Sequence, residues 1–250
     1  MLKGIQLSIS RFFPRTCILC GTSLLFNEIS DCLCPECLDA VTHLSFASLY
    51  EMQSDGSSSK TIQGKICRIC GQPLSSEIET CMRCRERSFA FEENRSCFLY
   101  EGGIKELIRQ YKFNGRIECA SFFATHTALI CHTEYPGLPI IPVPGRRASV
   151  RKRGYDQVEA VCRILSRRYS IQWIRALMRK GSRAQKTLSY DERLINLKGK
   201  ISVRKAALPL PKACILLDDV FTTGATAHEC SLVLKKHGVK EVHMVSFAID

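Results

Sequence analysis

Four Cys-x-x-Cys pairs and one segment running from paired acids into threonines are the parts of this sequence equipped for chemistry. The pairs are Cys17 with Cys20, Cys34 with Cys37, Cys67 with Cys70, and Cys81 with Cys84. A Cys-x-x-Cys turn aims two thiolates at one point. Two such turns close a tetrahedral four-sulfur site that leaves no open position for water or substrate. Taken as neighbours, the pairs predict two structural zinc sites. An iron–sulfur cluster also takes four cysteines, and a redox function needs only one pair. The ribbon-like repetition of CILCGTSL…CPEC in CRICGQPL…CMRC favours zinc. In each copy a glycine, Gly21 or Gly71, directly follows the second cysteine, where a knuckle turn requires positive φ. Cys32 is a spare thiol. Cys97, Cys119, Cys131, Cys162, Cys214 and Cys230 stand alone and read as core residues.

The second segment is CILLDDVFTTGAT, Cys214 to Thr226. An apolar strand ends at Asp218 and Asp219. Thr222, Thr223, Gly224, Ala225 and Thr226 form a short loop, and a helix follows. Amide N–H groups at a helix start bind phosphate, threonine hydroxyls add donors, and glycine lets the backbone come close. Carboxylates repel phosphate but accept hydrogen bonds from sugar hydroxyls. Acids at the strand end and donors at the helix start therefore suit a sugar phosphate. A capped strand–loop–helix turn would explain one threonine, not the whole run.

Charge points the same way. The formal net charge is +12, and the 18 Lys and Arg against 4 Asp and Glu between Gly145 and Lys205 exceed it, leaving −2 for the rest. Such a block implies an anionic partner, phosphate or nucleic acid or both, where an isolated charge run would be only a solvated face. No stretch reaches the length of a membrane span, and the first residues, broken by Arg11 and Pro14, do not make a signal peptide. Zinc-binding thiols must be reduced, so the chain is expected in the cytoplasm.

These residues need elements to hold them. The polar linker EMQSDGSSSKTIQGK separates the two cysteine segments. From about Ser96 strands and helices alternate: helices over Ile104–Lys112, Ser121–Cys131, Gln157–Tyr169 and Ala227–His237, strands over Leu138–Val143, Cys214–Leu217 and Glu241–Ala248. This predicts an α/β fold with a parallel sheet flanked by helices over residues 96–250, behind a cysteine-rich double zinc-ribbon region over residues 1–95.

ILLDDVFTTGAT resembles the motif with which type I phosphoribosyltransferases bind 5-phosphoribosyl 1-pyrophosphate (PRPP). The wider chain resembles the ComF family, which joins N-terminal zinc ribbons to such a domain. IIPVP followed by RKRGYDQ, the block SRAQKTLSYDERLINLKGKISV and the segment LIRQYKFNGR carry the resemblance through most of the chain, in the family's order. Tyr155 and Asp156 stand where Phe and Asn are usual, Ser182 replaces a usual Thr, and Gly145-Arg146-Arg147 departs from the common pyrophosphate loop.

The resemblance implies a site for PRPP or a related phosphoribosyl ligand with Mg²⁺, formed by Asp218, Asp219, Val220, Phe221, Thr222, Thr223, Gly224, Ala225 and Thr226. In it Asp218 and Asp219 would hold the ribose hydroxyls as catalytic residues. Arg146, Arg147, Arg151, Lys152, Arg153 and Arg193 are the candidates for pyrophosphate, and Ser182–Asn196 would be a flap over the site. Phosphoribosyl transfer would displace pyrophosphate from C1 of the ribose; no nucleobase pocket is legible, so the acceptor is open. The alternative implied by the family is a non-catalytic protein of natural transformation that handles single-stranded DNA along Arg146–Lys205, with Tyr155, Tyr169, Trp173 and Tyr190 to stack bases.

Overall fold

The computed structural model describes residues 15–24, 32–43, 45, 66–74, 78–180 and 195–250. Among these residues, two helices belong to the cysteine-rich part, α1 (Pro35–Thr42) and α2 (Met82–Glu86). Then come β1 (Asn94–Leu99), α3 (Gly102–Phe113), α4 (Cys119–Glu134), β2 (Ile140–Pro142), α5 (Arg147–Arg153) and α6 (Gln157–Tyr169). The chain continues through β3 (Leu177–Arg179), β4 (Ile201–Val203), β5 (Ala213–Phe221), α7 (Ala225–Lys236) and β6 (Glu241–Ile249).

Strands β1, β6, β5 and β2 form one sheet in that order, and every pairing is parallel. A parallel sheet is covered on both faces, which is why its central strands read as continuous apolar runs. Successive residues of a strand alternate between faces. Ile215, Leu217, Val245 and Phe247 enter one core with α3, α4 and α6. Cys214, Leu216 and Met244 enter the other with α7 and the antiparallel hairpin β3–β4.

The cysteine segments are built into these two cores. Cys17, Leu33, Cys34 and Val41 are buried in the core of α3, α4 and α6, and a side chain at Gly103 in α3 would meet Val41 at 2.7 Å. Cys67, Cys70, Cys84 and Phe91 are buried in the core on the opposite face. Asn94, at the start of β1 and 0 % exposed, donates to the carbonyl of Cys70 (2.8 Å) and to Ser96 Oγ (2.9 Å). The six isolated cysteines are all buried, as expected of core residues.

The sequence reading is corrected at β5, which does not stop at the paired acids. Val220 and Phe221 favour extended backbone and pair with Ala248 and Ile249 of β6, so the strand runs three residues beyond Asp218. No helix among the described residues is long and apolar enough to cross a membrane.

Candidate functional site

Asp218 and Asp219, neighbours in a strand, lean to opposite sides. Asp219 shares the side of α3 and α6. Lys112 Nζ, near the end of α3, lies 2.8 Å from its Oδ1, and Gln157 Nε2, the first residue of α6, donates to its Oδ2. Asp218 accepts the Asp219 amide at 2.8 Å and faces Arg179 at the end of β3. Burial, and then the neighbouring Asp219 charge, push the Asp218 carboxyl up to about 8. Burial presses Asp219 upward too, but the Lys112 charge and the hydrogen bonds from Lys112 and Gln157 hold it below the ordinary carboxylate range. Arg179 is itself pushed down by burial and by the Arg146 charge. The two acids therefore sit in a shared field with different protonation preferences, Asp219 ionised and Asp218 retaining its proton.

The RGYDQ box explains how Gln157 gets there. Gly154 ends α5 at φ 84°. Tyr155 donates its hydroxyl to the carbonyl of Tyr111, and Tyr111 donates to the carbonyl of Gln157 at 2.6 Å. Asp156 caps α6 by accepting the amides of Val158 (3.0 Å) and Glu159 (3.2 Å), and its other oxygen accepts the Gly145 amide. The departures Tyr155 and Asp156 are thus accommodated, each with a partner.

Beyond β5 the chain turns through Thr222, Thr223 and Gly224 (φ 78°) into α7. The Ala225 amide reaches Thr223 Oγ1 at 3.5 Å. A small cavity of about 40 Å³ lies here, lined by Asp218, Val220, Met244 and the whole turn from Phe221 to Ala227. The amides of a first helical turn have no intrahelical partner, so this cavity joins an acid to outward-facing donors. A larger cavity of about 610 Å³ between Arg15, Arg116, Ile117, Ser121 and Arg168 involves none of these residues.

The basic candidates divide. Val143 donates to the Leu217 carbonyl, which brings the chain leaving β2 beside the acids. Arg146 there is half-buried and near Arg179. Arg153 packs over the Tyr155 ring, and its Nε and Nη1 are buried with no hydrogen-bond partner among the described residues. Arg147, Arg151 and Lys152 are exposed on α5. Arg193 and most of the expected flap, together with Tyr190, lie outside the described residues. The remaining aromatics of the basic segment, Tyr155, Tyr169 and Trp173, are half-buried and pack against the core of α3, α4 and α6. Lys112, Gln157 and Arg179 carry no role in the sequence reading. Lys112 and Gln157 lay inside the quoted segments LIRQYKFNGR and RKRGYDQ; Arg179 had no motif to reveal it.

The cysteine pairs come together as neighbours, Cys17, Cys20, Cys34 and Cys37 in one group and Cys67, Cys70, Cys81 and Cys84 in the other, with all sulfurs of a group within 4.8 Å. The Cys20–Cys34 and Cys70–Cys81 sulfurs are 3.6 Å apart. A tetrahedral ion with sulfur bonds of about 2.3 Å requires edges of about 3.8 Å, so both groups fit a metal of zinc's size. The knuckles repeat bond for bond: Gly21 N to Cys17 O at 2.9 Å and Gly71 N to Cys67 O at 2.8 Å, with Gly21 and Gly71 at φ 79° and 76°.

No family model matches the chain. It is 31% identical over 198 residues to competence protein ComFC of Bacillus subtilis (strain 168), covering 76% of this chain and 79% of that protein. It is 27% identical over 245 residues to competence protein ComFC of Streptococcus pneumoniae (strain ATCC BAA-255 / R6), covering 92% and 98%. It is 30% identical over 188 residues to DNA utilization protein YhgH of Escherichia coli (strain K12), covering 72% and 82%.

Proposed function

The chain belongs to the ComF family, and from that premise we propose that it binds PRPP or ribose 5-phosphate with Mg²⁺ in the service of DNA uptake and use. The observation that carries this reading is the junction of β5 and α7. Asp219, held by Lys112 and Gln157, adjoins Asp218, which itself lines a threonine-bearing cavity at a helix start. In the proposed complex the turn from Thr222 to Thr226 takes the 5-phosphate, and Asp218 and Asp219 accept hydrogen bonds from the ribose hydroxyls. The donor set suits Mg²⁺, because a buried carboxyl beside a like charge is one that a cation would hold ionised. When bound, the ion neutralises charge on the pyrophosphate. Arg146 and Arg153 supply fixed positive charge from the protein, and the buried, unpartnered nitrogens of Arg153 suit an oxyanion.

Zinc is assigned to both four-cysteine groups, with a structural role, since all four positions are sulfur. Transfer of the phosphoribosyl group needs an acceptor whose attacking atom loses a proton as pyrophosphate leaves C1. A screen for pyrophosphate release from PRPP across nucleobases and single-stranded DNA tests this step.

A second reading rests on its own observation. Arg147, Arg151 and Lys152 form an exposed basic edge that a single sugar-phosphate does not require. In this reading the edge holds the backbone of single-stranded DNA, and binding weakens with salt. The names of the relatives, competence and DNA utilization proteins, support it.

A further inference from the structure

Arg83 lies between two metal-ligating cysteines, Cys81 and Cys84, yet its side chain points away from them. Its Nη1 donates a 2.7 Å hydrogen bond to the main-chain carbonyl of Thr222, 139 positions later, in the turn between β5 and α7. Two further contacts join the same two places. The stretch after the knuckle carries Phe89 onto the turn, where a side-chain carbon at Gly224 would come within 2.8 Å of the Phe89 ring. The Ala90 amide donates to His228 Nδ1 in α7 at 3.1 Å.

The knuckle that presents Arg83 does not hold its own shape. Helix α2 has five residues, far below the length at which a helix persists in water. Its position is fixed by the sulfurs of Cys81 and Cys84, gathered with Cys67 and Cys70. Sites of this kind are coupled to metal: the protein order is lost when the ion leaves. Arg83 acts on the turn directly, because the carbonyl it holds belongs to the Thr222–Thr223 peptide and so fixes the orientation of that peptide just before Gly224.

We infer that Arg83 is a positioning residue, through which the ion at the second cysteine group sets the conformation of the phosphate turn and hence its affinity for a phosphorylated ligand. The inference rests on the reading of Thr222–Thr226 as that turn. The first cysteine group packs on the opposite face of the sheet and serves as the internal control. Coupling of this kind is reciprocal, so a ligand on the turn also retains the ion at Cys67, Cys70, Cys81 and Cys84.

The test uses the full-length zinc-loaded chain and amide hydrogen exchange over Thr222–Ser231, where the helical bonds that the turn supports begin with His228 N to Gly224 O at 2.8 Å, a readout independent of ligand. Arg83→Met is expected to speed exchange there about tenfold, with zinc content and exchange around Cys17–Cys37 unchanged, and Arg83→Lys is expected to restore most of the protection. Stepwise chelation is expected to speed exchange of the turn in the wild type and to add little in Arg83→Met. Equal exchange in wild type and Arg83→Met, or an equal response of both to chelation, overturns the inference. Ribose 5-phosphate affinity, measured in parallel, is expected to fall about tenfold in Arg83→Met. A wild type with no such affinity sinks the proposed ligand instead, while the exchange data still decide the role of Arg83.

Discussion

Lys112 Nζ lies 2.8 Å from the Asp219 carboxylate, and this ion pair makes two adjacent acids unequal. Asp219 is held ionised. Asp218, buried beside that charge, is pushed up to about 8. In the proposed complex, a ribose and a cation would meet one ready acceptor and one that must first release a proton.

The pH dependence follows. Between about 4 and 8 the folded chain keeps the Asp218 proton that the unfolded chain has released, so stability falls as pH rises across that window. Arg179, Lys112 and Asp219 face the same carboxyl and remain in place in Asp218→Asn. That variant is expected to gain melting temperature over the wild type at about pH 8.5, and to gain clearly less at about pH 5. An equal difference at both values would mean that Asp218 titrates normally.

Gly224→Ala tests the turn. Its φ of 78° is left-handed, and the new carbon would lie 2.8 Å from Phe89 and 2.9 Å from Phe221. The conformational cost alone is about 1–2 kcal/mol, which at about 2–4 °C per kcal/mol predicts a fall of several degrees in melting temperature. Ribose 5-phosphate binding should weaken with it. Calorimetry and thermal melts check both.

Metal content is expected to be about two zinc ions per chain; iron without zinc would contradict the assignment. Because Cys17 and Cys34 share a core with α3 and α4, Cys17→Ser is expected to lower the stability of the whole chain in one transition. Loss of the N-terminal part alone, followed by a separate second melt, would show that the region is independent.

The basic block separates the two readings. Arg151→Ala with Lys152→Ala should reduce the salt slope of single-stranded DNA binding by about 0.7 of a unit per lost phosphate contact and spare ribose 5-phosphate. Arg153→Ala should weaken binding of PRPP, whose pyrophosphate it is proposed to meet, and leave the salt slope unchanged. Filter binding against salt concentration, with calorimetry beside it, distinguishes them.

The sequence made the local features legible. The cysteine spacing, the acid–threonine turn and the four longer helices of the α/β part depend on residues close together, where spacing and period carry the information. What it hid were the pairs made by folding. Arg83 meets Thr222 and Lys112 meets Asp219 only because the sheet brings distant segments together. The length of β5 was misread because the acids look like a strand end, whereas Val220 and Phe221 continue the pairing with β6. Tyr155, Tyr169 and Trp173 sit among arginines in sequence but pack half-buried against the core in space; only Tyr169 belongs to α6, and contacts with α3, α4 and the sheet are set by folding.

The central claim is that the junction of β5 and α7 binds a phosphorylated ribose. Titration calorimetry of ribose 5-phosphate and of PRPP, each with Mg²⁺, against the wild type and against Asp218→Asn with Asp219→Asn tests it most directly. The account predicts saturable binding to the wild type and a loss of at least about tenfold in the double variant, the scale of hydrogen bonds to charged groups, with the variant still folded. Unchanged affinity in a folded double variant, or no binding of either ligand to the wild type, would contradict it.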